Sequence, residues 1–173
     1  MSASDARGAP RVSGASAPPP SRRARLGVAL AIGLASGAFT AFCLATAPIP
    51  SDFEFWWRAA RLWTHGVNPY LLAPGAPGWP LPDRFFYPLP AVLVTVPFAT
   101  LPLAVAGGLM SGAAAGLLAW ALTAEQFGLL WLFASPSFVM ALKVGQWSPL
   151  LCAAALLPAL GWLAVVKPTI GAA

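Results

Sequence analysis

Two carboxylates, Asp52 and Glu54, open the segment SDFEFWWRAARLWTHGVNPY (Ser51–Tyr70), which also carries Arg58, Arg61 and His65. The chain has only five acidic and ten basic side chains among 173 residues, so ionic chemistry has few other places to sit. A carboxylate there could take a proton from a hydroxyl as a general base. Cations nearby could stabilise charge developing on a phosphate oxygen. Further candidates for binding an anion or a polar substrate are Arg84, Gln146 and Lys167, the last two within or beside long apolar runs.

Helix geometry separates the two carboxylates. Ser51 is a good N-cap and Glu54 stands at the third helical position, so S-x-x-E predicts a capping box in which Glu54 reaches back to the Ser51 N–H. At 100° per residue, Arg58, Arg61 and His65 fall within about 40° of Glu54, a polar stripe with an i,i+4 ion pair. Asp52 lies about 160° away, on the face of Trp56, Ala59 and Trp63, which is expected to pack on the body of the protein. At a helix start an Asp is worth about 0.3–1 kcal/mol against the dipole even when it faces water. Directed at an apolar body it is costly unless it meets a cation or a hydroxyl. Trp56, Trp57, Trp63 and Trp79 fit an interfacial aromatic belt, with stacking on sugar faces as the alternative. Asn68 and Tyr70 read as a turn, with substrate contact as the alternative.

The elements around this segment are those of a membrane protein. The chain is 58% apolar and 9% charged, with mean hydropathy +0.73, whereas soluble domains carry roughly 25% charged residues. Long unbroken apolar runs predict an all-α, polytopic transmembrane bundle of about four to five membrane helices, with a short interfacial helix over 52–65. The spans are expected near 26–47, 89–101, 103–123, 126–142 and 148–166. Pro97 and Pro102 divide the uncharged stretch 89–124, leaving open whether 89–101 crosses or re-enters. Residues 1–25 read as a disordered basic tail. Arg22, Arg23 and Arg25 place it in the cytoplasm and the segment 48–88 outside, in a plasma membrane. An alternative, cleavage after Ala45-Thr46-Ala47, is disfavoured by the length of the apolar run and by Pro48.

The basic flank is a topology signal, not a nucleic-acid patch. A single His and no CxxC argue against a zinc site of His and Cys, and no cofactor or metal is required. Cys43 and Cys152 read as small core residues, not a disulfide. The GxxxG pairs Gly33–Gly37, Gly108–Gly112 and Gly112–Gly116 read as close helix packing.

DFEFWWRAARLWTHGVNPY resembles the first-loop signature of glycosyltransferase family 87, membrane enzymes of the GT-C fold that use polyprenyl-phosphate sugars. The matching residues are Asp52, Trp56, Ala59, Ala60, Gly66, Asn68, Pro69 and Tyr70. Three later segments follow in order. FFYPLPAVLVTVPFATLP is similar to the family's Tyr-Pro-Pro stretch, with Leu89 where a second Pro is common. VGQWSPLL is similar to its Gly-Gln segment and VVKPTIGAA to its Lys-Pro segment. The resemblance covers residues 26–173 and implies an inverting hexosyltransferase. Asp52 is then the base, with Glu54 the weaker candidate. Lys167, Arg84, Gln146, Arg58, Trp56 and Tyr70 are substrate-binding candidates, and Arg61 and His65 rank behind for the phosphate. The implied partners are membrane lipids, a polyprenyl-phosphate sugar, with mannose the expected sugar, and a glycan or glycolipid acceptor. Family members continue past the Lys-Pro segment, so this chain is expected to be an N-terminal portion, truncated and inactive if later helices complete the cavity. Composition alone leaves two other classes open: a non-catalytic membrane bundle, and a lipid-linked-sugar binder without chemistry.

Overall fold

The structure is a computed structural model, and it describes residues 21–46 and 50–167. Residues 1–20 of the tail expected over 1–25, the Ala45-Thr46-Ala47 site at Ala47 and the Lys-Pro segment beyond Lys167 lie outside the described residues. Among the described residues all regular structure is helical: α1 (Arg22–Thr46), α2 (Asp52–Thr64), α3 (Leu89–Thr95), α4 (Leu103–Glu125), α5 (Pro136–Val144) and α6 (Ser148–Leu156). Stretches of 3₁₀ helix run over Pro69–Leu71, Val96–Phe98, Phe127–Ala134 and Pro158–Val166.

Two of these helices, α1 and α4, are long and apolar enough to cross a membrane. The 3₁₀ stretch Phe127–Ala134 and α5 are bent by 60° from each other and make a third crossing if they act as one broken span. The bend falls at Ser135-Pro136, where the Ser135 hydroxyl accepts the Phe138 N–H at 3.2 Å and caps α5. Leu89–Phe98 is a ten-residue apolar helix, short of the ~20 residues that hydrocarbon demands. The single helix expected over 148–166 is two pieces. Pro158 has no N–H to donate and crowds the preceding turn, so α6 stops at Leu156 and a tighter helix resumes. That second piece pairs with α6 and touches α3. At the other end of the chain, α1 begins at Arg22, so the three arginines of the flank belong to the helix and not to the tail.

α1 and α4 run antiparallel along their small residues. A Cβ built on Gly33 would lie 2.9 Å from the Gly112 carbonyl oxygen, and one on Gly37 would lie 2.8 Å from that of Gly108. Such backbone proximity is the packing that GxxxG permits. The Arg25 guanidinium fixes the register by donating to the Trp120 carbonyl oxygen at 2.9 Å and lying 4.2 Å over its ring. Thr40 ties α1 to α5 by donating to the Leu142 carbonyl oxygen at 3.0 Å. Both cysteines are free, and Cys152 is exposed, not in the core.

Substitution Gly112→Leu should lower the unfolding temperature in detergent, because its Cβ would meet the Gly33 carbonyl oxygen at 2.8 Å. Overpacking of this kind costs about 1–3 kcal/mol. Gly27→Leu, whose Cβ meets nothing within 4 Å, should leave it unchanged. Equal effects would remove the packing role of the stripe.

Candidate functional site

The α2 end of the bundle is held by aromatic packing. On α2, Phe53, Trp56, Trp57, Ala59 and Ala60 are buried, and the Pro- and Gly-rich segment after it contributes Trp79, Leu81 and Phe85 to the same core. Phe55 and Phe85 meet Trp79 edge-on at 5.9 and 5.8 Å. The Trp79 indole N–H donates to the Asp83 carbonyl oxygen at 2.8 Å. The aromatic-belt reading therefore fails for Trp56, Trp57 and Trp79, which are core residues. Trp63, placed on the packed face by the helical wheel, is 38% exposed. By angle Trp63 falls inside the buried arc, about 20° from Trp56, so its exposure comes from its place in the last turn of the helix, past the last buried position, Ala60.

Ser51 caps α2, its hydroxyl accepting the Glu54 N–H at 3.3 Å. The other half of the expected capping box is not made. The Glu54 carboxylate instead accepts from Arg58, with Nε and Nη2 both 2.7 Å from Oε1. Arg58 offers the carboxylate a full opposite charge and two donors at i,i+4, against a single backbone N–H in the capping box.

Asp52 sits at the margin of the buried face, half-buried. Its Oδ2 accepts a hydrogen bond from Gln146 Nε2 at 3.1 Å, across 94 positions of sequence. The carboxylate can only accept, which sets the amide with its nitrogen toward Asp52, and the Ser148 hydroxyl donates to Gln146 Oε1 at 3.4 Å. Among the described residues Asp52 has no ion pair and no other side-chain hydrogen bond. Two of the candidate residues are thus in direct contact.

The contact depends on how α5 ends. Gly145 follows α5 with φ 67° and ψ 45°, a left-handed conformation that glycine adopts without penalty. Its N–H returns to Ala141 and Leu142, and the Gln146 N–H reaches the Ala141 carbonyl oxygen at 2.8 Å. Phe53 packs directly on this glycine, and a Cβ there would be 2.6 Å from Phe53 Cβ. Phe53 and Gly145 each precede or follow a site residue by one position, so their packing sets the Asp52–Gln146 distance.

Trp147 and Tyr87 were not among the candidates, yet both belong here. Trp147 is fully buried, its ring centroid 4.8 Å from that of Trp56. Tyr87 meets Trp56 edge-on at 5.2 Å. Burial pushes the Tyr87 phenol up from its ordinary pKa, and the Asp52 carboxylate adds to the rise. The Trp56 indole N–H lies near that phenol and opposes the shift, but the pair falls outside hydrogen-bond geometry. Trp56 Nε1 and Trp147 Nε1 are both buried without an acceptor among the described residues. An unmade buried bond costs about 1–3 kcal/mol. The signals available in the sequence were the Trp adjoining Gln146 and the Tyr of FFYPLP.

The remaining candidates are placed elsewhere or used otherwise. Trp56 is 1% exposed, so no sugar can stack on it as it is packed. The Tyr70 hydroxyl donates to the Tyr87 carbonyl oxygen at 2.8 Å, and Asn68 Oδ1 accepts the Tyr70 N–H at 3.0 Å. Both bonds hold the loop. Arg84 is exposed in that loop. Val166, next to Lys167, is buried in the apolar cluster that also holds Phe53, Trp56 and Trp147, but among the described residues no hydrogen bond or ion pair joins Lys167 to Asp52 or Gln146. Neither Arg84 nor Lys167 makes an ion pair among the described residues. Arg58 lies with Arg61 and His65 on the polar stripe, opposite the buried arc. No three His, Cys, Asp or Glu side chains among the described residues converge in a way that could hold a metal ion.

No family model matches the chain, and neither the curated proteins nor the solved structures give a match. The likeness to glycosyltransferase family 87 therefore rests on its four ordered segments alone.

Proposed function

We propose that the chain is a membrane glycosyltransferase, or part of one, that moves a hexose from a polyprenyl-phosphate donor to a lipid or glycan hydroxyl. In this reading the bundle is multi-pass in a cell membrane, with its N-terminus cytoplasmic and residues 48–88 external. The observation that carries the proposal is the hydrogen bond between Asp52 and Gln146 at 3.1 Å. It joins the first and third of four segments that were matched independently of any contact between them.

Asp52 acts as general base. It accepts the proton of the acceptor hydroxyl while that oxygen bonds to the anomeric carbon. The bond from this carbon to the phosphate oxygen breaks, its electron pair leaves with the polyprenyl phosphate, and configuration inverts. Gln146 holds one carboxylate oxygen, which orients the other toward the acceptor. Lys167 and Arg84 are the cations assigned to the leaving phosphate. Membranes containing the full chain should transfer labelled mannose from polyprenyl-phosphate mannose to extractable lipid or glycan. Failure both to transfer and to bind this donor would leave the non-catalytic bundle as the reading.

A further inference from the structure

The polar face of α2 carries a second constellation that transfer chemistry at Asp52 does not use. Trp57, Arg58, Arg61, Leu62, His65 and Gly78 line one hollow of about 320 Å³. Three of these side chains are basic. Only Arg58 meets a carboxylate, and Glu54 occupies its Nε and Nη2. Arg61 has no ion pair among the described residues. Its guanidinium lies 4.7 Å over the Trp57 ring, and that of Arg58 lies 5.8 Å from the same ring. Trp57 is itself fixed, since its indole N–H donates to the Leu101 carbonyl oxygen at 3.0 Å. His65 is fixed too. Its Nδ1 is 2.7 Å from the Arg61 carbonyl oxygen, so Nδ1 carries the proton and Nε2 is turned away from the helix backbone. The opposite wall is the loop at Gly78, which packs against Leu62.

We infer that this hollow is a phosphate-binding site, distinct from the Asp52 site. Compensation of the helix dipole accounts for one positive charge in the last turn of α2. It does not require two guanidinium groups to share an aromatic floor. Pre-positioned, planar and always charged, Arg is the side chain suited to phosphate oxygens, and stacking on Trp57 reduces the freedom lost on binding. Glu54 cancels one of the two arginine charges, so the hollow retains a net positive charge for one phosphate group. It lies across α2 from Asp52, so the phosphate it takes is not the leaving group of a reaction at Asp52. The site stands whether or not the transferase reading does.

The test uses the full chain in detergent with two probes, dioleoyl-phosphatidylglycerol and inorganic phosphate, and bound copies are counted by native mass spectrometry. Wild type should hold one phosphatidylglycerol, or one phosphate, that Arg61→Gln binds at least fivefold more weakly. Lys143→Gln removes the same charge from an exposed position on α5 and should match wild type. Retention of the lipid but not of phosphate would identify a lipid headgroup as the source, and retention of both would identify the phosphate group alone as sufficient. Equal binding by wild type, Arg61→Gln and the Arg61→Gln/His65→Gln double variant would overturn the site. So would a loss in Lys143→Gln as large as in Arg61→Gln, because net charge and not the hollow would then explain it.

Discussion

Asp52→Asn is expected to reduce sugar transfer by about 10²–10⁴-fold, the span typical of a lost general base, while leaving the amount of folded protein unchanged. The substitution keeps the volume of the side chain. Its carbonyl oxygen can still accept from Gln146 Nε2, now 3.1 Å from the carboxylate, so the α2–α5 contact persists. What disappears is a group able to take the acceptor's proton. The structural alternative for Asp52 is stabilisation of the α2 dipole, worth about 0.3–1 kcal/mol. Loss of that would lower the unfolding temperature slightly and would not touch turnover in the surviving folded molecules. The two roles are therefore separated by measuring transfer per folded molecule. Turnover within a few-fold of wild type would sink the assignment of Asp52. Glu54→Gln is the internal comparison: it breaks the ion pair with Arg58 on the opposite side of the helix and should change turnover far less.

The parts of the molecule that were legible in advance are those governed by periodicity. The bounds of α2, the polar stripe of Glu54, Arg58 and Arg61, and the close GxxxG packing follow from 3.6-residue geometry and side-chain size. The Asp52 position was legible only in direction. A helical wheel separates it from Glu54, but only the chain's return through Gly145 and Gln146 provides its partner. Long-range pairing of this kind has no local signal. The aromatic core beneath the loop was missed for a related reason. Proline and glycine mark turns, and they say nothing of whether Trp79 and Phe85 between those turns face water or α2. The break at Pro158 did have a local signal, a proline inside an apolar run, and apolarity alone outweighed it in the expectation of one helix. The span count is coarser in the structure than in the sequence, because apolar stretches can be filled by short helices and 3₁₀ turns that are not crossings.

Gly145→Ala is expected to damage the α2 end through two separable effects. The left-handed backbone at φ 67° costs a residue with a Cβ roughly 1–2 kcal/mol. The added methyl would also lie 2.6 Å from Phe53 Cβ. Phe53 is fully buried, so it has nowhere to withdraw, and such overpacking costs roughly another 1–3 kcal/mol. Gly66→Ala isolates the first effect, since Gly66 has φ 74° and a Cβ there meets nothing within 4 Å. Thermal or chemical unfolding in detergent should therefore show Gly145→Ala losing more stability than Gly66→Ala, by at least ~1 kcal/mol if the packing cost is of the usual size. The consequence for the site follows from connectivity. Phe53 is bonded to Asp52 and Gly145 to Gln146, so relief of the clash must move one relative to the other. A displacement of 1 Å takes the 3.1 Å contact beyond hydrogen-bond range. Folded Gly145→Ala should then show lower turnover than folded Gly66→Ala at matched protein. Equal loss of stability in the two variants would mean that Phe53 yields freely, and that the Asp52–Gln146 contact is held by something other than the packing of Phe53 on the end of α5.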